Sequence, residues 1–259
     1  INFGCPVKKV LGHCRGGFHL SQPDVALDIV ARTRAAVPPR IPLTVKMRRG
    51  MDDSAKSRDD FFRILEGAFA LGVDAITVHG RTVQQRYVGP SRWEFLTEVK
   101  RLVGSRVILG SGDLFTPQDC LEMMRRTGVD GVSVARGAIG NPWIFGQARA
   151  LAETGCLPAP PRLDEQAAVL REHYRLAEEL YGVHGSPLMR KFGIKYAASH
   201  PDYPAVREAF SRVRNRPDWD AILDTHYAQP LPGRYPDPQV HRVQGSCAVP
   251  REPLCGDVA

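Results

Sequence analysis

Three features of the 259-residue sequence predict an α/β chain that carries the later strands of a (β/α)8 barrel and then a small all-helical domain. Up to about Phe145, short β-branched runs alternate with helix-period stretches, as in a parallel sheet built from βα units. Each run ends in polar, reactive or glycine-rich residues. Beyond Phe145 the strand pattern disappears and amphipathic helices take over.

The strands are expected near residues 1–3, 43–47, 75–79, 107–110 and 131–135. Between them, helices are expected over 23–37, with Val25, Ile29 and Val30 on one face, over 58–71, with Phe61, Leu65, Ala68 and Phe69, and over 93–103, with Leu96, Val99 and Val103. A fourth helix begins at Thr116-Pro117, a favourable N-cap and N1 pair, and stops at Gly128. The strands recur every about 25 to 40 residues, a βα period that fits a doubly wound sheet as well as a barrel.

The strand ends discriminate. They read Asn2-Phe3-Gly4-Cys5-Pro6, Lys46-Met47-Arg48, His79-Gly80-Arg81, Gly110-Ser111-Gly112-Asp113 and Ala135-Arg136-Gly137. A barrel collects its chemistry at the C-terminal ends of many strands, whereas an open sheet concentrates it at one switch point, so the barrel is favoured. Five strands are visible, so about three further βα units are expected ahead of Ile1, and the chain is expected to be an amino-terminally truncated piece. The barrel part is expected over 1–150 and the helical domain over 160–227, with helices at 164–182, 186–199, 204–214 and 217–227. The proline-rich, aperiodic stretch 228–259 is expected to be a disordered tail.

Hydrophobic residues make up 43% and charged residues 24%, and no uncharged apolar run approaches the roughly 18 to 20 residues that span a bilayer. An integral membrane protein is excluded on that basis. The net charge of +7 favours a polyanionic partner but is also common in arginine-using genomes. The cysteines Cys5, Cys14, Cys120, Cys156, Cys247 and Cys255 show no C-x-x-C pair or histidine spacing that would suggest zinc. No metal is expected, and reduced thiols in a cytoplasmic protein are the plain reading.

Cys5 sits in a Gly-Cys-Pro turn, where glycine permits the bend and proline ends the ladder. Such a cysteine reads either as a small buried hydrophobe or as a reactive thiol, which near its ordinary pKa can donate a proton. Lys46, on the apolar strand Leu43-Thr44-Val45-Lys46-Met47, is hard to explain as a solvated charge and should point into a site mouth. His79 reads either as a structural histidine or as a phosphate or cofactor contact. The loops at Ser111, Gly112 and Asp113 and at Ala135, Arg136 and Gly137 offer backbone N–H groups and a guanidinium, donors suited to a phosphate monoester.

These strand ends carry a resemblance. The strings Asn2-Phe3-Gly4-Cys5-Pro6-Val7-Lys8-Lys9-Val10, Thr44-Val45-Lys46-Met47-Arg48, Val78-His79-Gly80-Arg81-Thr82 with Tyr87-Val88-Gly89 and Trp93, Gly112-Asp113, and the run from Ala135 to Phe145 resemble, in order, the tRNA-dihydrouridine synthases. The resemblance implies flavin mononucleotide (FMN) at the mouth of a TIM barrel, a following helical domain, NADPH or NAD(P)H more broadly as reductant, and reduction of tRNA uridine to 5,6-dihydrouridine. It implies Cys5 as proton donor, and Asn2 and Tyr87 as substrate contacts. Lys46 and His79 would hold the flavin, and Ser111, Gly112 and Asp113 with Ala135 and Arg136 its phosphate. The target base would have to be turned out of its stack to reach them. Two departures stand out: Ser111 replaces the family's usual Asn, and Cys14-Arg15-Gly16-Gly17-Phe18-His19-Leu20 is unusual. The family's flavin-contacting Pro-x-Ala-Gly strand and glutamine are expected upstream of Ile1.

Between Arg190 and Arg216 seven lysines and arginines, among them Lys191 and Lys195, stand against Asp202 and Glu208, a local excess of five. Phe192 and Tyr196 interleave with them. Alone, such a run reads as a solvated face; beside a resemblance to a tRNA enzyme it reads as a phosphate-backbone contact through Arg190, Lys191 and Lys195. The rival readings are an FMN barrel oxidoreductase acting on a free small molecule, and a non-catalytic RNA-binding fragment.

Overall fold

The computed structural model describes residues 1–238. These divide into two compact units, one of residues 1–113 and 119–134, the other of residues 114–118 and from Ala135 onward.

The first unit is built on five parallel strands, β1 (Asn2–Phe3), β2 (Thr44–Arg48), β3 (Ala75–His79), β4 (Val107–Ser111) and β5 (Gly131–Val132). They lie side by side in chain order, β1-β2-β3-β4-β5. A doubly wound sheet reverses its strand order at a switch point, and none occurs here; unidirectional winding is the barrel's way of laying down strands. The chain therefore has the α/β architecture of a partial barrel.

The strands are separated by α1 (Lys8–Leu11), a 3-10 turn (Gly16–Ser21), α2 (Pro23–Ala36), α3 (Ala55–Ala70), α4 (Trp93–Val103) and, after β4, α5 (Pro117–Thr127). Each long helix has a local cause. Ser54 caps α3, its hydroxyl accepting the Ser57 N–H at 3.1 Å, and Phe61, Ile64, Leu65 and Ala68 then fall on one buried stripe. Burying Phe61, Ile64 and Leu65 contributes about 1.5–3 kcal/mol each. Pro23 opens α2, where its missing N–H is not needed, and Gly104 ends α4 with φ +64°. At the strand starts, Asp74 accepts the Leu43 N–H at 2.7 Å, and Asp130 accepts the Ile108 N–H at 2.8 Å.

Alternation along the strands separates two faces. Phe3, Val45, Met47, Ile76, Val78 and Ile108 are buried on the face covered by helices. Gly110 continues that face, and a Cβ there would lie 2.5 Å from the Met123 sulfur, which is why α5 can approach so closely. The other face carries the polar residues. β5 is shorter than the expected 131–135: Ser133 N–H still bonds Gly110 O at 2.8 Å, but the chain then leaves the sheet.

The second unit contains α6 (Ile144–Thr154), α7 (Leu163–Tyr181), α8 (Gly185–Tyr196), α9 (Tyr203–Ser211) and α10 (Arg216–His226). Leu170, Tyr174, Met189, Phe210, Trp219 and Leu223 lie at its core. Residues 135–150, expected with the barrel, belong to this unit. Gly140, at φ +82°, packs so tightly on the end of α8 that a Cβ would stand 2.6 Å from Lys195 O, and Trp143 meets Tyr196 edge-on. The expected tail starts differently from the prediction. Its described part is pinned: Leu231 O accepts the Leu163 N–H at 2.9 Å, and Arg234 donates from its backbone to Ser199 O at 2.9 Å. Prolines leave such a strap without periodicity while its remaining groups still find partners. Residues 239–259 of the expected tail, with Cys247 and Cys255, lie outside the described residues.

Candidate active site

The parallel register assembles the site. Asn2 pairs with Lys46, Lys46 with Thr77, and Thr77 with Leu109, so these side chains share one face of the sheet. The next row toward the C-terminal ends pairs Arg48 with His79 and His79 with Ser111. Asn2, Lys46, His79 and Ser111, singled out in the sequence, thus lie on one polar face, and Arg48 joins them.

Above β1 the chain turns through Gly4, Cys5 and Pro6. Asn2 Oδ1 accepts the Gly4 N–H at 2.9 Å, which leaves the amide nitrogen of Asn2 as a donor. Cys5 is half-buried and reduced. Its carbonyl accepts the Gly17 N–H at 3.1 Å, closing the loop 5–17. Gly16 is required there twice over: its φ is +60°, and a Cβ would stand 3.0 Å from the Cys5 Cβ. The unusual Cys14–Leu20 stretch leads into the 3-10 turn at Gly16, with Leu20 buried and the His19 ring edge-on to Phe3 at 5.3 Å.

Lys46 is pressed between strands, and burial together with the positive charge of Arg48 pushes its pKa down to about 8. His79 Nδ1 accepts the Arg81 N–H at 3.1 Å, so the neutral ring carries its proton on Nε2. Ser111 donates its hydroxyl to Ser133 O at 3.0 Å. Gly112, with φ +116°, could not carry a side chain, since a Cβ would lie 2.3 Å from Ser91 Oγ. Asp113 is turned into the protein, accepting from Arg81 Nη2 and from the Ser91 N–H, both at 2.8 Å. Trp93 Nε1 donates to Gly112 O at 3.1 Å, so this loop is held from several sides.

Three buried arginines join the site that sequence reasoning missed. Arg48, Arg49 and Arg81 hold the loop after β3 through its backbone: Arg48 Nη1 reaches Thr82 O at 2.9 Å and Arg86 O at 2.8 Å, Arg81 Nε reaches Gly89 O at 2.9 Å, and Arg49 Nε reaches Gly80 O at 3.0 Å. Arg48 also lies 5.6 Å from the ring centre of Tyr87, which is otherwise half exposed. Period-two alternation with Lys46 is the signal that could have found Arg48. Arg81 Nη1 is buried and without a hydrogen-bond partner among the described residues.

The other expected residues lie in the second unit. Ala135 is exposed, and Arg136 lies over Phe115 at 5.0 Å. Arg190 lines a cleft of about 690 Å³ together with Ser211, Arg212, Arg214 and Asp218. Lys191 is exposed, and Lys195 is half-buried at the end of α8. Arg212 pairs with Glu208, and Arg216 with Glu178 and Asp220. Arg190, Lys191, Arg207 and Arg214 have no ion-pair partner among the described residues. No group of three or more His, Cys, Asp or Glu suited to a metal occurs among the described residues. No helix among them is long and apolar enough to cross a membrane.

Comparison with known proteins places most of the sequence in a family. The family profile described as dihydrouridine synthase (Dus) matches residues 1–229. A protein of Mycobacterium tuberculosis named "Probable tRNA-dihydrouridine synthase" is 36% identical over 228 residues, covering 86% of this chain and 57% of that protein. One of the same name from Rickettsia conorii is 37% identical over 216 residues, covering 83% of this chain and 63% of its own length. A third, from Rhizobium leguminosarum bv. phaseoli, is 37% identical over 182 residues, covering 70% and 53%. The chain thus spans between about half and two thirds of these relatives' lengths. With a family match that runs over residues 1–229, across both units, the chain belongs to the dihydrouridine synthase family.

Proposed function

We propose that the chain reduces uridine in tRNA to 5,6-dihydrouridine, using FMN and NAD(P)H. The observation that supports this best is the polar face of the sheet, where Asn2, Lys46, Arg48, His79 and Ser111 share two adjacent rows below the Cys5 turn.

The residues of the first unit fit a flavin nucleotide. Lys46 is a partly buried cation that shares its face with Arg48, suited to negative charge on a reduced isoalloxazine. His79 would present Nε2–H to a ring carbonyl. Gly112 leaves its peptide bare for a phosphate to approach, while Arg81 and Ser91 keep the Asp113 carboxylate away from that anion. When bound and reduced by NAD(P)H, the flavin would supply a hydride to C6 of the uracil ring. Cys5 then delivers its proton to C5, completing the two-hydrogen addition, and regains a proton from solvent. The Asn2 amide donates to a carbonyl of the extruded base and fixes which carbon faces the thiol. Arg190 and Lys191, with Lys195, supply phosphate contacts for the polynucleotide.

The test is direct. Purified chain, FMN, NADPH and a tRNA lacking dihydrouridine are combined, and the nucleosides are weighed by mass spectrometry. Uridine heavier by two hydrogens is the expected product. Reduction of free uracil or orotate with none of tRNA would place the activity with small-molecule flavin barrels instead.

A further inference from the structure

We propose that Arg48 is a positioning residue that sets the Cys5 turn against the loop carrying Tyr87, so that proton donor and substrate-facing loop move as one body. The inference rests on the reading of Cys5 as proton donor.

Arg48 closes β2 and is 3% exposed. Its Nε donates to Gly4 O at 2.9 Å, the carbonyl of the peptide that Cys5 itself begins. The Gly4 N–H is taken by Asn2 Oδ1. The residue before the thiol is thus gripped at both ends, by Asn2 on one side and Arg48 on the other. The same guanidinium holds Thr82 O and Arg86 O through Nη1 and lies against the Tyr87 ring. Gly4 and Arg86 are far apart in sequence, and the rigid fork of one side chain spans them. Lysine, a point charge on a flexible stem, cannot hold three carbonyls in those directions. A purely structural arginine would affect stability alone. A positioning arginine also affects the thiol's reactivity and the chemical step.

Two variants of the full chain test this, Arg48→Ala with and without low-millimolar guanidinium, and Arg48→Lys. Alkylation by iodoacetamide is followed on the individual Cys5 and Cys156 peptides, and melting temperature and turnover on tRNA are measured beside it. Cys5 alkylation should rise about threefold or more in Arg48→Ala and in Arg48→Lys, with Cys156 unchanged. The value of kcat should fall about tenfold or more, and guanidinium should return both quantities toward wild type in Arg48→Ala but not in Arg48→Lys. Unchanged Cys5 alkylation in a folded variant overturns the proposal, as does guanidinium that restores melting temperature without restoring alkylation. Failure of both variants to fold even with guanidinium also overturns it, since Arg48 is then a structural residue. If wild-type chain reduces no tRNA while alkylation responds as expected, the proposed reaction falls and the role of Arg48 in holding Cys5 stands.

Discussion

Arg81 holds both carboxylate oxygens of Asp113 through one nitrogen, Nη2, at 2.8 Å, with the arginine side chain 4% exposed and the aspartate 26% exposed. The pair joins the end of β3 to the loop after β4, and the Ser91 N–H donates to the same carboxylate at 2.8 Å. Asp113 adopts φ +59°, a left-handed conformation that aspartate and asparagine tolerate better than most residues.

Removing this carboxylate should therefore be costly. Asp113→Ala leaves the Arg81 charge buried without its partner and places alanine at a positive φ, for an expected loss of about 3–5 kcal/mol. Asp113→Asn keeps the backbone preference and one acceptor, and should lose less. Urea unfolding of the two variants beside wild type measures the difference; equal losses would mean that the charge, absent from both variants, dominates and the backbone conformation adds nothing.

Lys46 gives a pH dependence of definite sign. Its folded pKa of about 8 lies below the ordinary value of 10.5, so between these pH values the unfolded chain holds a proton that the native chain does not. Native stability therefore rises with pH across that window, and below it the full penalty of the buried cation applies. Lys46→Met should be more stable than wild type at pH 7, by about 3 kcal/mol, and the gap should close as pH approaches 10.5. The same variant should retain less FMN, judged by visible absorbance after gel filtration. A variant that is less stable at pH 7 would mean that Lys46 has a compensating partner.

Cys5→Ala should leave FMN absorbance and tRNA affinity near wild type and lower turnover by about 10²–10⁴-fold, the range expected for loss of a general acid. Dihydrouridine formation close to the wild-type rate would assign the proton to another group.

In the helical unit, Arg190 and Arg214 line one cleft and lack ion-pair partners, whereas Arg212 is paired with Glu208. Arg190→Ala combined with Arg214→Ala should weaken tRNA binding and reduce the slope of log affinity against log salt by about two, one for each phosphate that is no longer neutralised. Arg212→Ala should change the slope less. Filter binding over a salt series reads both; an unaltered slope in the double variant would remove these cations from the interface.

Sequence periodicity by itself determined the βα order, four of the five strands to within a residue or two, and all four long helices of the sheet unit, because each signal is local. Phe61, Leu65 and Ala68 mark α3 by their spacing alone. The strings around Cys5, Lys46 and His79 named the family for the same reason, since short motifs at strand ends are contiguous in the chain. β5 reads longer in sequence than it is because Val132-Ser133-Val134 has strand propensity whether or not a neighbouring strand is there to pair with it. Helix α6 and the membership of residues 135–150 in the helical unit escape a local reading, because the glycine that fits them onto α8 has its partner at Lys195.

Only the tertiary structure decided which charges became buried clamps. In sequence Arg48 and Arg81 stand among the polar strand ends, and nothing local sets them or Arg49 apart as buried. In the fold Arg48 meets Gly4 O and Thr82 O, which lie 44 and 34 residues away along the chain, and Arg81 meets Asp113, 32 residues away. A buried charge persists only where such acceptors converge on it, and convergence is a property of strand register and loop path that no local pattern of residues contains.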